Sequence, residues 1–159
     1  MSARAKDLSK RIVSFTDEVV ACAEALSAED WNNRLEWEEW TAGVTARHIG
    51  AGHFRIFDLA QMMIAGKELP QLTMDQITEM SNKDSREHSD CTREETLDAL
   101  RKNGAELAEF VAGLSDDDLD CKGRMPAFGG EFSVDQMVEF VIFQSAQEHL
   151  DNIRKAVGK

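Results

Sequence analysis

Two histidines sit where a helical reading of the chain expects apolar side chains, and neutral imidazole is a ligand for zinc, nickel, iron or copper. His48 lies about 40° around a helix from Val44 and about 20° from Leu59, inside the arc that also holds Ile49, Gly52, Ile56 and Met63. His149 falls on the inner arc of the last helical segment, with Ser145 one turn before it and Asn152 one turn after. Two inward imidazoles on different helices can converge on one divalent ion, with Ser145 and Asn152 orienting the ligands or lining a pocket beside them. The competing reading is a hydrogen-bonded core pair, since an inward histidine is commonly satisfied by a carbonyl, a hydroxyl or a buried water. Two imidazoles do not complete a metal's ligand set, and the sequence has no H-x-x-x-H or H-E-x-x-H pair. On a continuous helix His53 points about 140° away from His48, so the two are not expected to share an ion. His88, in a polar stretch, is expected to face solvent.

Other chemistries find little support. Cys22 belongs to an apolar stripe, Cys91 precedes a helix cap and Cys121 has acidic neighbours that disfavour a thiolate. Three widely spaced cysteines without C-x-x-C suggest a reducing, cytoplasmic compartment rather than a disulfide framework. No G-x-S-x-G, P-loop or dinucleotide-binding glycine pattern is present. With 18 Lys+Arg against 30 Asp+Glu, the net charge of −12 repels phosphate backbones and anionic lipid, so neither nucleic acid nor membrane is an expected partner. No stretch approaches the roughly 20 apolar residues of a membrane span, and Met1 to Phe15 lacks the apolar run of a secretory signal.

The elements that must position the histidines are helices. Leu8, Ile12, Phe15, Val19, Cys22 and Leu26 form one stripe over about Ala5 to Leu26. Thr41 is a plausible cap for a second long helix to about Ala65, ended by Gly66 and Pro70. Thr92-x-x-Glu95 opens a third, marked by Leu97, Leu100, Gly104, Leu107, Val111 and Leu114. Ser133-x-x-Gln136 caps a fourth, about Val134 to Val157. Between them, Ser27-x-x-Asp30 and Thr73-x-x-Gln76 cap short helices, Ser81 to Cys91 reads as a loop, and Lys122 to Phe132 as a loop or small hairpin. Trp31, Trp37, Trp40 and Phe128 lie in these connections, where they plug the bundle ends or line a pocket mouth. The expected architecture is all-α, a single four-helix-bundle domain over residues 1–159 with short extra helices in the connections.

At these residues the sequence resembles the DinB-like family, which includes the mycothiol-dependent maleylpyruvate isomerase N-terminal domains. The resemblance rests on the first amphipathic helix and on Trp40-Thr41-Ala-Gly-Val-Thr-Ala-Arg-His48-Ile. It extends through Thr92-Arg-Glu-Glu-Thr-Leu with Ala112-Gly-Leu-Ser-Asp-Asp-Asp-Leu119, and Gln147-Glu-His149-Leu-Asp-Asn152-Ile153-Arg154. It implies an up-up-down-down-like four-helix bundle, often a homodimer, with zinc or nickel on three histidines. It also implies small-molecule chemistry of the thiol-transfer, isomerase or hydrolase kind, with a low-molecular-weight thiol as a possible cofactor. His48 matches the first ligand and His149 the third; the second would fall at Ser145, and serine is a poor ligand for these metals. The resemblance therefore implies either a metal enzyme with an incomplete histidine site or a metal-free small-molecule-binding or dimerisation bundle descended from one.

Overall fold

The computed structural model describes residues 2–36 and 39–158, so Trp37 lies outside the described residues. Helix α1 (Ala3–Ala25) starts at Ser2, whose side chain accepts from the Ala5 N–H, and buries Leu8, Ile12, Phe15 and Val19 along one stripe. A capping box between Ser27 and Asp30 closes the one-turn α2 (Ala28–Trp31). Thr41 caps α3 (Ala42–Ala51), a 3-10 turn runs His53–Ile56, and α4 (Phe57–Ile64) completes the second rod. Thr73 with Gln76 and Thr92 with Glu95 form the capping boxes that open α5 (Met74–Glu87) and α6 (Arg93–Ala112). Each box satisfies two backbone donors that a bare helix end leaves unpaired.

A short α7 (Asp116–Asp120) leads to a two-stranded antiparallel hairpin, β1 (Lys122–Met125) and β2 (Gly130–Ser133), with Lys122 opposite Ser133 and Met125 opposite Gly130. The turn runs through Gly129 and Gly130 at φ of 81° and 112°, values that a residue without a Cβ adopts at low cost. The last rod is α8 (Val134–Val138), a π-helical stretch Glu139–Ala146, and α9 (Gln147–Ala156).

α1, the α3–α4 rod, α6 and the α8–α9 rod form a four-helix bundle. Phe15 ties three of these rods together: its ring meets Phe54 edge-on at 6.2 Å and Phe143 at 6.4 Å. Ile12, Ile49, Leu100, Ile142 and Leu150 are fully enclosed around that contact. Among the described residues, no helix is long and apolar enough to cross a membrane.

Two expectations need correction. The second rod is not continuous: it breaks at Gly52, and the chain turns through 3-10 geometry before resuming. The polar stretch from Ser81 is helical as far as Glu87, because the Thr73–Gln76 box starts a helix that does not need a wide apolar face. α5 buries only Ser85. It is held to the bundle by an Arg47–Asp84 ion pair at 2.8 Å and by Trp40 Nε1–H donating to Asn82 Oδ1 at 3.1 Å. His88 ends α5 with its side chain 45% exposed and Nδ1 2.9 Å from the Asp84 carbonyl, so it lies at the surface.

α1 and α6 approach closely at Gly104, where an added Cβ would lie 2.5 Å from Thr16 Cγ2. Thr16 cannot swing away freely, because its hydroxyl donates to the Ile12 carbonyl at 2.8 Å. Gly104→Val is therefore expected to destabilise by about 1–3 kcal/mol through overpacking. Chemical denaturation should show a lower midpoint at unchanged slope, and Thr16→Ala in the same chain should restore part of the loss.

Candidate metal centre

His48 is carried on the last full turn of α3, His53 on the 3-10 turn after it, and His149 on α9. The ring centroids of His48 and His53 are 4.8 Å apart, those of His48 and His149 5.4 Å, and those of His53 and His149 5.0 Å. One nitrogen from each ring can be chosen so that all three lie within 4.8 Å of one another, close enough to hold a metal ion. A metal–nitrogen bond of about 2 Å sets donor–donor separations of about 3–4 Å, so the three rings would draw together slightly around an ion.

This placement corrects the expectation for His53. The 140° separation assumed an unbroken helix, whereas Gly52, at φ −105° and ψ −68°, ends α3 and feeds the tighter turn. The change of path carries the imidazole inward, where only 8% of the residue stays exposed. Gly52 is needed for the passage. Its N–H donates to the His48 carbonyl at 2.8 Å, and a Cβ there would lie 2.9 Å from that oxygen and 3.1 Å from His48 Cε1.

Ser145 lies in the same cavity, but as a partner of a ligand. Its Oγ is 3.0 Å from His53 Nε2, while His53 Nδ1 is buried with no hydrogen-bond partner. Asn152 is buried on α9 but is not among the described residues that line the cavity. Burial pushes the His53 pKa well below the ordinary histidine range, and the neighbouring His48 and His149 rings lower it further. A weaker hydrogen-bonding interaction with the His48 backbone works in the opposite direction. His53 is thus held as neutral imidazole, the form that binds metals.

Trp40 closes one side. Its ring meets His48 at 4.7 Å and stacks on His149 at 5.9 Å with 27° between planes. The histidines open onto a cavity of about 470 Å³ walled by Ile56, Leu59, Leu72, Ile77, Met125 and Val141 and roofed by α5. The cluster fits a divalent ion. Three imidazole rings converge, and imidazole nitrogen is a ligand suited to zinc or nickel. The third histidine carried one legible signal in the sequence: a Gly-His pair inside a helical pattern marks a place where the period can slip.

Two outcomes follow. Gly52→Ala should weaken zinc binding by about tenfold, the scale of a disturbed ligand support, with the helical circular-dichroism signal retained. In metal-free protein the unfolded chain takes up a proton at His53 below about pH 6.5 while the native ring resists it. Native stability should therefore fall as pH drops through that value, by at most about 1.4 kcal/mol per pH unit from this group. Denaturant melts across pH should show His53→Gln with a shallower slope.

The DinB superfamily model matches residues 11–150. No curated protein matches the chain. Among solved structures, YfiT from Bacillus subtilis, described as a probable metal-dependent hydrolase with an unusual four-helix bundle topology, superposes with a TM-score of 0.79 at 13% identity. The alignment covers 99% of this chain and 89% of that one. At that identity the likeness speaks for the fold, and with the family match over most of the sequence it supports one conclusion: the chain belongs to the DinB superfamily.

Proposed function

We propose that this protein is a divalent-metal-dependent enzyme acting on a small molecule, with hydrolysis as its reaction and zinc or nickel on His48, His53 and His149. The observation that carries the reading is the convergence of the three imidazoles in an uncharged, mostly apolar cavity. The neighbour described as a probable metal-dependent hydrolase is consistent with it.

Such an ion supplies Lewis acidity, which polarises a carbonyl and activates water. The chain's own residues do the rest. Ser145 fixes the His53 ring through Nε2, a supporting contact of the kind that sets ligand orientation. Trp40 limits the tilt of His48 and His149 from one face. The apolar walls keep bulk water from the reacting end, which strengthens electrostatic effects there. In this reading the ligand expected at Ser145 has moved to His53, and the serine that remains holds the replacement in place. Thiol transfer would use the same three ligands with a thiol as nucleophile. An acidic surface and three cysteines that form no disulfide support a reducing compartment as the setting.

Titration of chelator-treated protein with zinc, and separately with nickel, tests the reading. One ion per chain is expected. Ser145→Ala should lower affinity by about 10–100-fold, as loss of a supporting hydrogen bond does, and His48→Ala, His53→Ala or His149→Ala by more than that. Substoichiometric zinc, or affinity indifferent to all three histidine variants, would leave the metal-free binding bundle as the better account.

A further inference from the structure

We infer that the molecule taken by the histidine cavity is largely apolar and carries no charge away from the end that meets the histidines. The inference rests on the proposed metal site for its chemistry, though not for its binding.

The chain has 18 Lys+Arg and 30 Asp+Glu, yet none of the described residues lining this cavity is charged. Other concavities of the molecule are different. A groove of about 480 Å³ beside the hairpin carries Glu131, Asp135 and Glu139, and a smaller one on α1 carries Lys10, Arg11 and Glu18. The polar side chains of the histidine cavity are Trp40, His48, His53, Ser145 and His149, with Thr78, Ser81 and Asn82 on the roof helix, and all of the rest of the described lining is apolar. A carboxylate or phosphate lodged against the opposite wall would lose its hydration and meet no cation, a cost of several kcal/mol in ordinary cases. A hydrocarbon or aromatic body there gains free energy from burial instead.

The rim agrees with the interior. Among the described residues four large hydrophobics are exposed, and three of them, Met74 (43%), Met80 (57%) and Phe140 (39%), border this cavity. Exposed apolar side chains gathered at one opening mark a binding mouth, and flexible methionines adapt to the shape that enters. A volume of about 470 Å³ falls within the range of small-molecule sites.

The test uses the full chain, freed of metal and held at about pH 8, where imidazole is neutral. The neutral fluorophore N-phenyl-1-naphthylamine should bind saturably and be displaced by 1-octanol better than by 1-butanol, by roughly two- to fourfold per added methylene. Octanedioate, which carries a carboxylate at each end and must lodge one away from the histidines, should displace it at least about tenfold less well than octanoate, since no cation receives the second carboxylate. Ile77→Asp, at a half-buried cavity wall, should abolish probe binding, and Met80→Asp, at an exposed rim position, should weaken it with helicity retained. Val13→Asp, at an exposed apolar position outside the cavity, should leave probe binding unchanged.

The inference is overturned if the probe fails to saturate, if octanedioate competes as well as octanoate, or if Val13→Asp harms binding as much as Ile77→Asp. A probe stoichiometry that falls as protein concentration rises would also overturn it, showing that a second copy of the chain covers the rim. Stoichiometric zinc without probe binding sinks this inference alone. Probe binding by protein that takes no zinc supports it and sinks the metal reading.

Discussion

A buried imidazole must find partners for two ring nitrogens, and at His53 the fold supplies one. Ser145 takes Nε2 from the last rod, Nδ1 is left over, and the two other histidines crowd the same space. That arrangement requires α3 to stop at Gly52 and the last rod to present Ser145 and His149 to one cavity. It also requires the bundle to hold these rods in register, which Phe15 does by contacting Phe54, one residue beyond His53, and Phe143, two residues before Ser145. Packing and chemistry therefore meet within a few residues of chain. Displacement of Phe15 would reach the histidines through both neighbours.

The main elements were legible because their signals are local. Apolar spacing of three and four residues identified the long rods, and capping boxes at Thr92 and Ser133 marked two of their starts within a residue. His48 and His149 could be placed indoors on the same ground. The readings that failed did so where local period was not decisive. Periodicity carried past Gly52 turns His53 outward; the actual chain changes its rotation per residue there, and no count of apolar residues records such a change. α5 was read in part as a loop because most of its surface faces water or a cavity. A helix with one buried residue leaves a faint hydrophobic pattern.

The comparison of Ser145 with His53 shows how a site can keep its composition while altering its plan. The DinB-like resemblance led to a histidine expected at 145, and a serine there looked like a missing ligand. In the folded chain the serine and a histidine from another rod are in hydrogen-bond contact. A donor count along one helix would miss this, whereas a count in space finds three imidazoles together. Contacts of this kind commonly govern how firmly an imidazole is aimed, and here the serine orients the His53 ring.

The roof over that centre is lightly fastened. Arg47–Asp84 and Trp40–Asn82 are its polar ties, and the ion pair is partly exposed, with Asp84 44% accessible. Pairs of that kind contribute about 0–1 kcal/mol and are screened by salt. The attachment of α5 is thereby made sensitive to dissolved electrolyte, which weakens the charged tie to α3 while leaving the Trp40–Asn82 hydrogen bond and the packing of Ile77 against the core in place.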